Sequence, residues 1–411
     1  MRFFLAILIG KLIAFISRLF HIGGGSAAPG LYALKICPDL VEKLAGKIPR
    51  NVIITGTNGK TTTARILAHL ANEAGLKIIR NSTGSNLERG IASALINYSS
   101  IGSHVGIWEM DEFAFNEVAP KIKPDVVLFL NVSRDQLDRY GEIDKVINRW
   151  CKTISKFDKK TIVLINSDLT KLKEYFKVKQ FPEPKNIKTN GLSGSEFELS
   201  IVNLNLSISL PIPGLYNIQN CVAAITAAYY LNLPLSKLHK SLMNFSSAFG
   251  RVEKIVFPHL MSHRTPTPEI GYIFLIKNPA GATAVFETIA QFLKPYDKLL
   301  FALNDNFADG TDVSWIWDTN FPSLLAPKER GNLYFCSGTR AYDLAIRLKY
   351  AGFEPKSITV EPSLKKALKE ARSGLKGTLY ILPTYTAMLE LQKILTKNKI
   401  KKHYWEENNG N

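Results

Sequence analysis

Residues 51–63, NVIITGTNGKTTT, constrain the fold of this chain more than any other stretch. The apolar run Val52, Ile53 and Ile54 has the composition of a strand buried on both faces. A helical pattern over residues 64–74 follows the polar loop Thr55-Gly56-Thr57-Asn58-Gly59-Lys60-Thr61-Thr62. Strand, glycine loop and helix in that order build a phosphate site. Gly56 and Gly59 let backbone N–H groups turn inward on an anion, and the N-terminus of the helix adds partial positive charge. Lys60 reaches the β- and γ-phosphates, and the Thr61 hydroxyl can hold Mg²⁺. Gly56, Thr57, Asn58, Gly59, Lys60, Thr61 and Thr62 are therefore expected to bind ATP. An isolated Gly-Lys-Thr specifies little, whereas the whole loop between a strand and a helix specifies a phosphate site. Ile54 stands where the general phosphate-loop pattern has its first glycine.

At 411 residues the chain has room for about two or three domains. Its net charge of +17 calls for an anionic partner. No zinc finger, recognition-helix signature or aromatic RNA-binding motif accompanies that charge, so a membrane surface or a phosphorylated substrate ranks above nucleic acid. Cys37, Cys151, Cys221 and Cys336 lie far apart and none is in a C-x-x-C, which predicts buried reduced thiols, no zinc site and no disulfide framework.

Residues 1–20 are apolar over most of a helix circumference, with Lys11 and Arg18 on nearly the same face. Lys11 interrupts the run short of the ~18 residues a spanning helix needs. Two placements stay open: flat on a membrane surface, or packed on the protein's own core. Arg2, the apolar run and Ser26-Ala27-Ala28 imitate a secretory signal, but an ATP loop belongs in the cytosol. A Gly/Ser/Pro linker over 21–29 and a short helical approach over 31–44 complete this region.

Beyond the loop, strands are expected at 77–79, 105–110, 125–131 and 161–166, with a polar loop at 81–86 and a helix at 91–96. The strand VGIWEM delivers Glu109 and Asp111 at its C-terminal end, where parallel α/β sheets bind ligands, so a carboxylate there can reach a Mg²⁺ held by Thr61. Residues 171–205 read as charged and loop-rich, and 206–210 as an edge strand. Asn217 and Asn220 open a helix with two amides about one turn apart, both able to meet an adenine edge. After residue 254 the chain alternates short strands and helices again, which means a second parallel sheet. There Lys277-Asn278-Pro279-Ala280-Gly281 follows the first strand, and residues 304–318, NDNFADGTDVSWIWD, follow the second. Acidic residues beside Trp315 and Trp317 at a strand end suggest a site, since two exposed tryptophans are costly unless they pack on something.

The form TGTNGKTT resembles the phosphate loop of the Mur ligase superfamily, the ATP-dependent enzymes that join amino acids to cell-wall precursors and folates. That resemblance assigns the Mg²⁺ to Glu109 with Thr61, the adenine to Asn217 and Asn220, and a nucleotide contact to Arg251 of Gly250-Arg251-Val252-Glu253. Gln136 stands in Asp135-Gln136-Leu137-Asp138 where the superfamily usually has His, so a second Mg²⁺ of the amino-acid-adding type is not supported. Lys277-Asn278-Pro279-Ala280-Gly281, the 304–318 segment and Asp135-Gln136-Leu137-Asp138-Arg139-Tyr140-Gly141 are similar to the MurT branch, the synthetase subunits of lipid II isoglutaminyl synthases.

The resemblance implies a fold: a Mur ligase-like central P-loop ATPase domain with a parallel sheet (45–253) and a smaller C-terminal Rossmann-like α/β domain (254–411). An N-terminal amphipathic helix and linker (1–44) precede them. It also implies a reaction, ATP-dependent amidation of the α-carboxylate of D-glutamate in the lipid II stem peptide through an acyl phosphate. Lys60 and Glu109 would serve the ligase site on the inner face of the cell membrane. No cysteine here stands on the Gly-x-Cys-x-Gly turn of a glutaminase, Cys336 lacking the first glycine, so ammonia should come from a separate GatD-type subunit. Members of this branch are thought to lend that subunit an Asp; Asp312 is the first choice, with Asp309 and Asp318 behind it. The rivals are a stand-alone amino acid ligase of the same superfamily and an ATP-binding scaffold at the membrane.

Overall fold

The computed structural model describes residues 1–19, 27–81, 85–97, 104–133, 143–245, 251–258, 269–325, 333–398 and 400. Three helices lead in: α1 (Arg2–Leu19), α2 (Ala28–Ile36) and α3 (Leu40–Ala45). The expected single approach over 31–44 is thus two helices. Cys37, which precedes Pro38, is pushed into extended backbone and ends α2. The first sheet and its helices follow in alternation: β1 (Arg50–Thr55), α4 (Lys60–Glu73), β2 (Lys77–Arg80), α5 (Glu88–Ile96), β3 (His104–Met110), α6 (Ala114–Ile122), β4 (Val126–Phe129), α7 (Ile143–Ile154), β5 (Ile162–Ile165) and β6 (Val178–Gln180).

These six strands order as β2-β3-β1-β4-β5-β6, every pairing parallel. The continuous apolar runs serve both faces by the two-residue period. Val52, Ile54, Val105, Ile107, Val126 and Leu128 enter one core, while Ile53, Trp108, Met110, Val127 and Phe129 enter the other. The chain leaves β1 toward one side of the sheet and β4 toward the other, so the crevice between their C-terminal ends is the switch point where such sheets bind ligands.

Residues 171–205 depart from expectation. They hold β6, β7 (Lys185–Thr189) and β8 (Ser195–Ile201), and β7 and β8 join β9 (Leu204–Leu210) in a three-stranded antiparallel sheet. Burial alternates strictly along β8, with Phe197, Leu199 and Ile201 inward, so the charged residues that read as loop are the solvent face of a half-buried sheet. That sheet covers α8 (Leu215–Tyr230), which also packs on α4 and is buried nearly all round. The short α9 (Leu235–Leu238) closes this half.

The second sheet runs β10-β11-β15-β12-β13-β14, from β10 (Arg251–Phe257), β11 (Glu269–Phe274), β12 (Lys298–Ala302), β13 (Leu333–Ser337), β14 (Ile358–Val360) and β15 (Leu379–Pro383). It is parallel except for β10, which pairs antiparallel with β11 as an edge. Helices α10 (Pro279–Ala290) and α11 (Ala341–Tyr350) lie on one face, α12 (Leu364–Arg372) and α13 (Tyr385–Lys397) on the other. All four cysteines are buried free thiols, and burial pushes each thiol above its ordinary range.

Helix α1 does pack on the protein. Ala6, Gly10 and Ala14 recur every fourth residue and are buried, and a side chain at Gly10 would stand 2.7 Å from Ile96 of α5. Among the described residues no helix is long and apolar enough to cross a membrane.

Candidate ligase site

The loop between β1 and α4 is shaped by two glycines in the left-handed region, Gly56 (φ 132°) and Gly59 (φ 89°). A side chain on Gly56 would meet the backbone of Asn131 at 2.7 Å, and one on Gly59 would lie 2.1 Å from Asn220 Oδ1. Glycine is needed at both places because neighbouring elements press on the loop. Asn131, just past β4, braces it from one side: its carbonyl accepts from Thr57 N–H (3.0 Å), and its amide both accepts from Asn58 N–H (2.9 Å) and donates to Asn58 O (3.0 Å). No side chain caps the N-terminus of α4, so its first N–H groups are available to an anion.

Lys60 Nζ lies inside the loop, donating to the carbonyls of Gly56 and Thr57 and facing Glu112 at 3.4 Å. Thr61 Oγ1 donates to Glu109 Oε2 at 2.6 Å. Asn81 fixes Glu109 through both backbone groups, donating to Glu109 O (2.8 Å) and accepting from Glu109 N–H (3.0 Å). A hydroxyl and a carboxylate oxygen side by side are hard donors of the kind Mg²⁺ takes when it keeps water and phosphate oxygens as its other ligands. Among the described residues no cluster of three or more His, Cys, Asp or Glu side chains is placed to hold a metal.

Glu112 is the member that sequence reasoning missed. It is buried, and although burial works against its charge, Lys60 and then Lys277 hold its carboxyl below the usual range. The three acids that close WEMDEF signal a carboxylate here, but only the tight turn after β3, where Asp111 Oδ1 accepts from Phe113 N–H (3.0 Å), decides that Glu112 faces the lysine. Its depressed pKa means that it stabilises the fold fully above the ordinary carboxylate range and ceases to as pH falls below that range through its lowered folded-state value. Glu112→Gln is expected to cost about 3 kcal/mol at pH 7, as for a buried ion pair that loses one partner. The gap to the parent should narrow in urea melts taken at successively lower pH.

The second sheet reaches the same loop. Lys277 Nζ donates to Thr57 O at 3.0 Å, and the amides of Asn58 and Asn278 exchange hydrogen bonds at 3.3 and 3.1 Å. Asn278 also caps α10, accepting from Gly281 N–H at 2.8 Å. The N-termini of α4 and α10 therefore approach one another at the loop, and both favour an anion there.

Of the other expected site residues, Asn220 is buried against Gly59, and Asn217, one turn earlier on α8, donates to Pro213 O at 2.6 Å. Thr62 is buried in the first turn of α4. Arg251 opens β10, but its side chain, Gly250 and the Gln136 segment lie outside the described residues.

The three candidate aspartates past β12 differ in kind. Asp309 is buried and spent on the start of α13, accepting from Thr386 N–H (2.8 Å) and from its hydroxyl. Asp312 and Asp318 are exposed. Asp312 Oδ1 accepts from Ser314 N–H (2.8 Å), and the hydrogen bonds from Ser314 hold its carboxyl below the ordinary range. A short 3-10 turn, Ser314–Asp318, follows, anchored by buried Val313 and Ile316. Arg347 clamps the turn by donating to Ile316 O and Thr319 O, both at 3.0 Å. Trp315 is half-buried, whereas Trp317 is exposed and rests on Tyr350 with ring centroids 5.9 Å apart.

Comparison with known proteins agrees with both halves. The Mur ligase middle domain matches residues 54–228, and the MurT ligase C-terminal domain matches residues 275–388. The MurT subunit of the lipid II isoglutaminyl synthase (glutamine-hydrolyzing) of Streptococcus pneumoniae is 29% identical, the match covering 96% of this chain and 97% of that one. Among solved structures, MurF from Acinetobacter baumannii superposes with a TM-score of 0.71 at 16% identity, covering 91% of this chain and 81% of that one. The folylpolyglutamate synthase of Mycobacterium tuberculosis, solved with ADP and AMPPCP, gives 0.65 at 16%, covering 88% and 94%. With a braced phosphate loop in one sheet and the 304–318 segment in the other, the chain belongs to the Mur ligase family, in the branch that carries the MurT C-terminal domain.

Proposed function

We propose that this chain is the synthetase subunit of a lipid II isoglutaminyl synthase, acting peripherally on the inner face of the cell membrane. The observation that carries this is the pairing, in one chain, of the Lys60, Thr61 and Glu109 loop with an exposed, hydrogen-bonded Asp312 on the MurT-type half. ATP would lie along the loop, with Asn217, Asn220 and Arg251 toward its base and Lys60 and Lys277 at its phosphates. The α-carboxylate of D-glutamate attacks the γ-phosphorus and ADP leaves, which gives an acyl phosphate. Ammonia then attacks the carbonyl carbon, the C–O bond to phosphate breaks with its electrons, and the nitrogen sheds a proton to leave the amide. Lys60 stabilises the charge that moves between phosphates. Mg²⁺, when held by Thr61 and Glu109, supplies Lewis-acid neutralisation of the same charge.

Nitrogen supply belongs to a second subunit. The four thiols of this chain are buried and raised, the reverse of what a thiolate nucleophile needs. Beside the Asp312 turn, α11 exposes Tyr342, Ile346 and Tyr350 at every fourth residue, continuous with Trp317. A rigid aromatic stripe of this kind suits a protein interface, and a glutaminase seated on it would find Asp312 within its reach.

The test is reconstitution with a GatD-type glutaminase, lipid II, glutamine and ATP, reading ADP release and the mass of the stem peptide. Amidation that requires all four supports the assignment. ADP release with an amino acid and no ammonia source would instead indicate a stand-alone ligase, and no ADP release at all a scaffold.

A further inference from the structure

The outward side of α1 is an exposed apolar surface. Phe4 (75% exposed), Leu8 (65%), Leu12 (55%) and Phe15 (63%) form a continuous stripe, flanked by Leu5 and Ile16, while Ala6, Gly10 and Ala14 face inward. A helix that uses its small residues for its own core and offers its large apolar ones to solvent is inverted relative to an ordinary surface helix. Exposed Leu31 and Tyr32 of the adjoining α2 extend the patch.

Cations border it. Lys11, exposed on α1, lies beside the stripe, Arg2 is exposed at the start of the helix, and Lys35 stands 5.5 Å from the ring of exposed Tyr32; Lys43 and Lys47 lie 5.9 and 5.1 Å from the ring of Phe3, which packs inward. The carboxylates on the same side, Asp39 and Glu42, are each paired with a lysine, Lys43 at 2.5 Å and Lys123 at 3.3 Å. An apolar stripe bordered by Lys11 and Lys35 is complementary to a bilayer with anionic headgroups, where the stripe enters the acyl boundary and the lysines meet the phosphates.

We propose that α1 is a monotopic anchor whose Phe4, Leu8, Leu12 and Phe15 face inserts in the plane of an anionic membrane, while its small-residue face stays docked on α2 and α5. This goes beyond the ligase assignment and does not depend on it, because lipid binding needs neither ATP nor substrate. The purified full chain is expected to float with phosphatidylglycerol vesicles and far less with phosphatidylcholine vesicles, and salt should weaken the binding. The double variant Leu8→Asp, Phe15→Asp is expected to lose at least about tenfold in vesicle affinity. Its melting temperature should be unchanged, because both side chains are already in solvent. Lys11→Ala should lose about fivefold on the anionic vesicles alone. A parent chain that ignores phosphatidylglycerol, or a double variant that binds as tightly as the parent, overturns the proposal. So does a dimer that the double variant abolishes and vesicles leave intact, since the stripe would then serve a second copy.

Discussion

Lys60→Ala is expected to abolish ATP-dependent amidation with glutamine and with ammonia alike, by about a thousandfold or more in kcat. Lys60 Nζ already sits within the loop that would cradle the phosphates, bonded to loop carbonyls and balanced by Glu112. It is the one loop side chain that carries full positive charge, and charge is what a transferring phosphoryl group most needs from its site. Alanine leaves the glycine geometry of the loop intact but strands the buried Glu112 charge, so a melting curve of the variant is needed beside the rate to assign the loss to the chemical step. The measurement is ADP release with lipid II present, run once with ammonium and once with glutamine plus the glutaminase. Loss with one nitrogen donor only would remove Lys60 from the phosphoryl-transfer step.

Asp312→Asn should split those two donors. If Asp312 orients the base of a partner's Cys-His pair, the neutral amide removes its charge and disturbs the tautomer it selects. Glutamine-dependent amidation should then fall by on the order of a thousandfold. Ammonia-dependent amidation should hold within about twofold, because Asp312 is exposed on the second sheet and the phosphate loop is fastened by other residues. Asp318→Asn is the control and should spare both activities. Asp309→Asn is a poor control, because it replaces one of the two oxygens that hold Thr386 with a donor. Equal loss with both donors would move Asp312 into the ligase site.

Much of this arrangement is legible in the sequence, for reasons that differ from place to place. The phosphate loop is legible because local backbone rules set its shape: two glycines, a strand before and a helix after. Glu109 is legible because a strand end fixes where its side chain emerges, and its oxygen lies 2.6 Å from that of Thr61. Glu112 is not, since which of three neighbouring acids turns toward a lysine is decided by one turn and by Trp150, whose indole N–H holds Glu112 O at 3.0 Å. The Asn58 and Asn278 exchange is also invisible, because it joins residues of two sheets that only tertiary packing brings together. Charge hides β7 and β8: β7 is exposed along its whole length and reads as loop, and in β8 Glu196 and Glu198 mask an alternation that burial along the strand makes plain.

The depth of the thiols has a practical corollary. Since Cys37, Cys151, Cys221 and Cys336 are all sealed in the interior and disfavoured as thiolates, a single cysteine introduced on the surface is the preferred target for maleimide dyes. One fluorophore on α11 and another on α1, in separate preparations of the otherwise native chain, would report subunit docking and bilayer contact as independent optical signals.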